Sequence, residues 1–232
     1  MNTSNQLKNK NLLRSVDTQL ANKWCLSPIW LVETNLDSVF NQQLFKEVFK
    51  FYKDIDEGKS IECDLINYDT PTFNTLQNII LSSVGEAFAD FESVSRPASP
   101  TDLPFEMCSA WITVMPPGER YLMHTHPNAI LTGTYYLYTL ENSGDLALID
   151  TQDIALDPIA GTAKIIKIPP KEGNLVFFPT YLMHEVQKNN SNEVRISLTF
   201  DLKMKDSNIK VTDKNVARTV VNNYERYQSK IN

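Results

Sequence analysis

The sequence has few cysteines and histidines, no long apolar run and no excess of positive charge. Cys25, Cys63 and Cys108 lie far apart, so a zinc ribbon and a disulfide framework are disfavoured and a reducing compartment is indicated. The net charge of -6 argues against nucleic acid or an anionic membrane as partner, because both require a basic surface. No segment approaches the ~20 apolar residues of a membrane span, and the N-terminus does not resemble a secretory signal. These absences predict a cytoplasmic protein.

The chain length suits one domain. Its 232 residues are 42% hydrophobic and 22% charged, which is enough to bury a core. We expect a single domain over residues 1–232, with an N-terminal arm and supporting helices over 1–104. The β core is expected over 105–203, and a C-terminal tail or helix over 204–232. The sequence carries no signal for an oligomeric state.

Helical spacing is confined to the first half of the chain and the C-terminal tail. Apolar residues recur at helical spacing over 37–56 and 71–94, and each segment begins with residues typical of a helix start. A strand is predicted near 26–33, and a further helix near 213–228. Residues 1–22 are expected to form a loosely ordered arm.

After Phe105 the apolar residues alternate with a period of two, which is typical of strands. Turn residues divide this part into about eight strands, predicted at 107–115, 120–126, 130–140, 145–150, 163–170, 174–179, 184–187 and 193–203. Helices followed by an unbroken run of short strands predict a mainly β fold with flanking helices. The expected architecture is a double-stranded β-helix, or jelly roll of cupin-like form, packed on the N-terminal helices.

All three histidines of the chain lie in two of these strand segments. His124 and His126 are separated by one residue, so on a strand both side chains point to the same face. His184 begins a later strand, and a jelly roll brings strands that are distant in sequence side by side. Neutral imidazole is a ligand for Fe, Zn, Cu or Ni, and three ligands leave positions open for chemistry. We therefore predict a catalytic metal site on these three residues.

Four segments carry a resemblance to a known family: HTHPNAILTGTYYLY, ENSGDLALID, GNLVFFPTYLMHEVQ and VRISLTF. Together they resemble the Fe(II)- and 2-oxoglutarate-dependent oxygenases over about residues 107–203, in particular a bacterial and phage branch, with further likeness to prolyl hydroxylases. The resemblance implies a mononuclear non-heme iron enzyme that uses Fe(II), 2-oxoglutarate and O2. It also implies hydroxylation of an unactivated C–H bond in a small molecule or amino-acid-like substrate, with release of succinate and CO2.

The resemblance also implies roles for single residues. His124 matches the first iron-binding histidine of the family's His-x-Asp/Glu motif, and His184 matches the distal one. Arg195 matches the basic residue that binds the far carboxylate of 2-oxoglutarate, for which its forked guanidinium is suited. Ser197, two residues further along the same strand face, is expected to hydrogen-bond the same group. Tyr136 matches a tyrosine that contacts the cosubstrate in prolyl hydroxylases.

One position departs from the family motif, because His126 stands where a metal-binding carboxylate is usual. A carboxylate offsets one charge of Fe(II), and an imidazole does not. His126 either binds iron directly, or turns away and leaves a site for water or halide as in halogenating relatives, or marks loss of the oxygenase reaction. We favour direct ligation.

Two other classes of protein share part of this pattern. Five residues separate Gly118 from the His-x-His pair, and the segment from Gly173 to His184 also resembles the cupin signature. A cupin would be a metal-dependent dioxygenase or isomerase that does not use 2-oxoglutarate. The cupin glutamate is missing between Pro127 and Tyr138, whereas Arg195 favours the oxygenase. The third class is a non-catalytic metal-binding or sugar-binding jelly roll, which would consume no oxygen with any cosubstrate.

Overall fold

The computed structural model describes residues 13–17, 27–49, 65–66, 69–92, 104–150 and 164–205. These residues form two helices, α1 (Ser38–Phe49) and α2 (Pro71–Glu92). They also form ten strands: β1 (Leu13–Asp17), β2 (Trp30–Thr34), β3 (Phe105–Met115), β4 (Tyr121–His124), β5 (Leu131–Tyr138), β6 (Leu146–Asp150), β7 (Lys164–Ile168), β8 (Asn174–Pro179), β9 (Met183–Val186) and β10 (Arg195–Met204). The helix predicted near 213–228 lies outside these ranges. Neither of the helices in the described part of the chain is long and apolar enough to cross a membrane.

The predicted strands from residue 105 onward correspond to β3 to β10. The prediction of a loosely ordered arm over 1–22 is wrong at β1, which pairs antiparallel with β2. Only Leu13 and Val16 are apolar in β1, so the segment has no alternating pattern to reveal it. Backbone pairing to the edge of the sheet forms this strand, and such pairing leaves little trace in the side chains.

Both helices begin at a side-chain cap, as the sequence predicts. Asp37 accepts a hydrogen bond from the backbone N–H of Phe40 at 2.8 Å. Thr70 accepts one from the N–H of Phe73 at 3.3 Å, and Pro71 occupies the first helical position. The helices then bury an apolar stripe that contains Leu44, Val48, Leu76, Ile79, Ile80 and Val84.

The strands form two antiparallel sheets, which confirms the mainly β fold with flanking helices. The six-stranded sheet has the order β1-β2-β8-β5-β10-β3, and the four-stranded sheet has the order β4-β9-β6-β7. The helices pack against one face of the larger sheet, where the Trp30 ring stacks on Phe177 with 5.1 Å between ring centroids. A second core between the sheets consists of Ile29, Tyr136, Leu146, Leu148, Val176, Phe178 and Leu182.

Strand β10 separates apolar from polar side chains by its period of two. Ile196, Leu198, Phe200 and Leu202 belong to the core beneath the helices. The intervening residues Arg195, Ser197 and Thr199 line a cavity between the two sheets, and Asp201 follows on the same face. The helix core and the polar cavity are therefore built from opposite faces of one strand.

Gly133 lets the central strands of the larger sheet approach closely. It lies in β5 and pairs with Phe177 of β8 and Phe200 of β10. A Cβ atom at this position would overlap the Phe200 ring and the backbone carbonyl oxygen of Val176. A larger residue would push apart the strands that carry the cavity.

Candidate active site

Two of the three histidines face each other across the smaller sheet. His124 of β4 and His184 of β9 are direct partners in the strand register, and their ring centroids are 4.3 Å apart. The prediction that His126 lies on the same strand is wrong, because β4 ends at His124. The chain turns at Asn128, whose φ is 73°, and the N–H of His126 donates to the Thr180 carbonyl at 3.4 Å. From this loop the His126 ring still reaches within 5.1 Å of each of the other two rings.

The three side chains offer one nitrogen atom each to a common point, and these atoms lie within 4.8 Å of one another. The Nδ1 atom of His124 donates to the Leu122 carbonyl at 2.7 Å, and that of His184 donates to the Leu182 carbonyl at 3.0 Å. A carbonyl only accepts hydrogen bonds, so Nδ1 carries the proton in both rings. The Nε2 lone pair is therefore available to a metal.

His126 is held by side chains instead. Its Nδ1 atom lies 2.9 Å and 3.2 Å from the two carboxylate oxygens of Asp201. The ring stacks on Trp111, with centroids 5.7 Å apart and planes 12° apart. Thr132 Oγ1 approaches the same nitrogen at 3.4 Å. The carboxylate fixes the proton on Nδ1, which leaves Nε2 as the ligand atom here too.

Burial keeps the two strand-borne imidazoles neutral. Burial, together with the charges of the neighbouring His124 and His126, lowers the pKa of His184 to about 3. Burial also lowers the pKa of His124, whereas the hydrogen bond to the Leu122 carbonyl raises it by a smaller amount. A metal binds the unprotonated ring, so both ligands are ready for it at neutral pH without losing a proton.

The histidines form one end of a cavity of about 80 Å³ between the sheets. The larger sheet contributes Trp111, Thr113, Met115, Thr132, Gly133, Thr134, Phe178, Arg195, Ser197 and Thr199, and the smaller contributes Tyr121, Leu146 and Val186. Most of these residues are apolar or carry a hydroxyl group. The only cationic side chain among the lining residues is that of Arg195.

Arg195 is a buried cation whose hydrogen bonds are incomplete. It is 2% exposed, its Nη1 atom donates to the Gly144 carbonyl at 3.2 Å, and its Nε atom has no partner among the described residues. Burial lowers the pKa of the guanidinium, whereas interactions with Tyr136, Tyr121 and Asp145 raise it by a smaller amount. An arginine stays charged at neutral pH even so. Among the described residues no carboxylate forms an ion pair with this buried cation, which fits a negatively charged ligand in the cavity.

The other two predicted cosubstrate residues differ in position. Ser197 is 5% exposed and lines the cavity close to Arg195 on β10. Tyr136 is fully buried behind Arg195, with its ring centroid 5.0 Å from the guanidinium carbon, and does not line the cavity. Burial raises the pKa of its phenol, against the attraction of Arg195. The Tyr136 hydroxyl has no hydrogen-bond partner in the described part of the chain.

Sequence reasoning missed six polar residues in or beside the cavity: Thr113, Tyr121, Thr132, Thr134, Thr199 and Asp201. All of them except Tyr121 would follow from the period of two once one cavity residue of the strand is known. Arg195 and Ser197 set the cavity face of β10, and counting on by two reaches Thr199 and Asp201. The same count from His124 does not reach Tyr121, because the pairing of β4 with β9 contains an irregularity between them.

Comparison with known proteins agrees with this architecture. Residues 109–201 match the model of a family described as "Putative 2OG-Fe(II) oxygenase". No curated protein matches the chain by sequence. The structure is similar to a prolyl-4-hydroxylase from Pseudomonas putida, with a TM-score of 0.53 and 14% identity over 78% of this chain and 94% of that one.

Two further solved structures share the fold. The α-ketoglutarate-dependent carbocyclase SnoK from nogalamycin biosynthesis has a TM-score of 0.59 and 14% identity, over 83% of this chain and 86% of that one. HygX from Streptomyces hygroscopicus, with nickel and 2-oxoglutarate bound, has a TM-score of 0.54 and 10% identity, over 79% and 85% of the two chains. At such identities the likeness concerns the fold.

The residues matched by the family model run from β3 to β10 and include all three histidines and Arg195. The chain therefore contains, over residues 109–201, a segment similar to the 2OG-Fe(II) oxygenases, within a fold that solved oxygenases share. Its enzyme class is that of the 2-oxoglutarate-dependent oxidoreductases, with Fe(II) and 2-oxoglutarate as cofactors. This assignment favours the oxygenase over the cupin-type alternative.

Proposed function

We propose that His124, His126 and His184 bind Fe(II) through their Nε2 atoms. The proposal is supported by the 4.8 Å limit on the separation of their ligand atoms and by the protonation of each Nδ1. Because the ligand atom of His126 lies inside this limit, direct ligation has more support than the turned-away arrangement of halogenating relatives. Three imidazoles also suit zinc, so the choice of Fe(II) rests on the family.

Arg195 binds the distal carboxylate of 2-oxoglutarate at the other end of the cavity, and Ser197 donates a hydrogen bond to the same group. The observation that carries this assignment is the buried Nε–H of Arg195, which has no partner among the described residues. A carboxylate can accept two parallel hydrogen bonds from a guanidinium, which both satisfies and orients it.

The reaction is hydroxylation of an unactivated C–H bond in a small molecule or amino-acid-like substrate. Fe(II) and 2-oxoglutarate supply this chemistry with O2, and succinate and CO2 are released. The protein places the metal and the cosubstrate in one cavity, where Trp111, Leu146, Phe178 and Val186 exclude water. The net charge of -6 favours a small or cationic substrate over nucleic acid.

Anaerobic spectroscopy tests the cofactor part of this proposal. Addition of Fe(II) and then 2-oxoglutarate should produce the weak visible charge-transfer band of a metal-chelated 2-oxoacid. Arg195→Ala should require far more 2-oxoglutarate to develop the band, whereas Arg120→Ala, at an exposed arginine, should behave as the wild type. Metal binding without the band would instead indicate a cupin-type enzyme or a non-catalytic metal-binding protein.

The hydroxylation part has its own test. Free amino acids and amino-acid-like metabolites are supplied with Fe(II), 2-oxoglutarate and O2, and succinate is measured together with the mass of the product. A product that gains one oxygen atom for each succinate supports hydroxylation. A product that gains halogen or loses two hydrogens would replace it with halogenation or desaturation.

A further inference from the structure

The proposed metal centre lacks an anionic ligand. Three neutral imidazoles leave both charges of Fe(II) uncompensated, whereas the family's usual motif places a carboxylate where this chain has His126. Asp201, which lies outside the sequence motifs that carry the resemblance, is in contact with that same histidine. We propose that Asp201 is a positioning residue that supplies the missing negative charge to the metal through the His126 ring. This inference rests on the proposed iron site.

The geometry of the contact is that of a hydrogen-bonded carboxylate and metal-binding imidazole. The Nδ1 atom of His126 is within 2.9 Å and 3.2 Å of the two Asp201 oxygens, and Nε2 points away from them on the opposite side of the ring. Trp111 stacks on the ring and limits its rotation. A carboxylate in this position fixes the tautomer and ring orientation and makes the imidazole a stronger ligand.

The other two histidines have no such carboxylate partner in the ranges that the structure describes. His124 and His184 donate their Nδ1 protons to backbone carbonyls, which are neutral. Because the His126 and Asp201 side chains are only 10% and 13% exposed, water screens the charge of Asp201 weakly. The negative charge of the usual motif is thus retained in this site, but it lies one imidazole ring further from the metal.

Apart from that of His126, the charged and polar side chains described next to Asp201 do not bind its carboxylate. Lys203, two residues along β10, pairs with Glu106 at 2.9 Å. The thiol of Cys108 donates to the backbone oxygen of Asp201 at 3.4 Å and leaves the carboxylate untouched. In the ranges that the structure describes, His126 is the recorded hydrogen-bond partner of this carboxylate.

The test is the affinity for Fe(II), and for Co(II) as a spectroscopic substitute, measured anaerobically against a competing chelator. Asp201→Asn keeps the side-chain size and an oxygen that accepts a hydrogen bond, but it removes the charge. We expect affinity to fall by about 10- to 100-fold, the range typical of outer-shell partners of metal ligands. Glu106→Gln makes the same change of net charge in a carboxylate that pairs with Lys203, and should leave the affinity unchanged.

A second background separates charge supply from simple structural support. His126→Asp restores the carboxylate of the usual motif directly on the metal, so in this background Asp201→Asn should cause no further loss. The charge-transfer band of the Fe(II)–2-oxoglutarate complex should move to higher energy in D201N but not in E106Q, because a less electron-rich metal gives up charge less readily. An affinity for D201N within about twofold of wild type, or an equal loss in both backgrounds, would overturn the proposal.

The wild-type protein provides a measurement that does not depend on a variant folding. In the Zn(II)-loaded protein, proton NMR should detect one imidazole N–H further downfield than the other two, since it alone is bonded to a carboxylate. Three similar resonances would count against the proposal. Failure of the wild type to bind any of these metals would instead refute the iron site itself.

Discussion

The two ends of the cavity differ in how completely the protein satisfies its own polar groups. At the histidine end, each Nδ1 atom has a partner: Leu122, Leu182 or the Asp201 side chain. At the arginine end, the Nε atom of Arg195 has no partner among the described residues. Arg195 lies at one end of strand β10, and Asp201, which contacts His126, lies six positions further on. This separation is ~20 Å along an extended strand.

The histidine end is therefore formed before a ligand binds, whereas the arginine end needs a ligand to complete its hydrogen bonds. Imidazole rings that are already oriented bind a metal without reorganisation. A buried guanidinium with an unpaired N–H group destabilises the ligand-free protein, because that group has lost its water. A carboxylate that binds there accepts the hydrogen bond and offsets this cost. The histidine end should therefore respond to changes in the ligands and in the groups that orient them, and the arginine end to loss of its cation.

The largest expected effect is loss of metal binding at the histidine end. His184→Ala removes one of the three proposed ligands, so metal affinity should fall by more than the ~10- to 100-fold typical of an outer-shell partner. Isothermal titration with Co(II) measures this loss. Met183→Ala is the matched control, since Met183 is the preceding residue of β9 and is 39% exposed. Wild-type affinity in H184A would contradict the assignment of the metal end.

Arg195→Met should separate binding from stability at the other end. Affinity for 2-oxoglutarate should fall by about 2–4 kcal/mol, or roughly 30- to 1,000-fold, because a buried carboxylate loses its charged partner. The free energy of unfolding without ligand should not fall, since methionine removes an incompletely bonded buried cation. Urea denaturation and 2-oxoglutarate titration measure the two quantities. A large loss of stability in the ligand-free variant would show that Arg195 is satisfied by the protein itself.

The metal-free protein should lose stability as the pH falls. The pKa of His184 is about 3 in the folded protein and 6.5 in its ordinary state. Between these values the unfolded chain binds more protons, so the free energy of unfolding rises with pH there, by at most about 1.4 kcal/mol per pH unit.

Urea denaturation at pH 7 and pH 5 checks this dependence. His184→Gln, which cannot titrate in this range, should show a smaller difference between the two pH values than the wild type. Equal differences in the two proteins would mean that His184 accepts a proton in the folded state as easily as in the unfolded state.

The smallest effect is expected at Tyr136. Because its hydroxyl is buried and has no partner in the part of the chain that the structure describes, Tyr136→Phe should leave the free energy of unfolding unchanged or raise it by up to about 1 kcal/mol. Tyr135→Phe is the control: its hydroxyl donates to Asn41 Oδ1 at 2.7 Å, so that variant should lose about 1 kcal/mol. If the Tyr136 hydroxyl contacts 2-oxoglutarate, Y136F should also weaken cosubstrate binding, and an unchanged affinity would remove Tyr136 from the cosubstrate site.

Local patterns were sufficient for most of the elements. The period of two identified β3 to β10, and the helical spacing with Asp37 and Thr70 identified both described helices. Strand β1 could not be identified in this way, because its pairing with β2 is a property of the sheet edge and not of its own five residues.

The sequence alone indicated a metal site and the class of its chemistry. Three histidines in two strand segments indicated the metal site, because ligand type and strand spacing are local properties, and the resemblance of residues 107–203 to the oxygenases implied Fe(II) and 2-oxoglutarate. Only the tertiary structure decided how the site is held together. His126 reaches the cluster from a loop, Asp201 meets it from a strand 75 residues later, and the Arg195 Nε–H has no partner within the described ranges. These are contacts between segments far apart in the chain, and a pattern within one segment does not contain them.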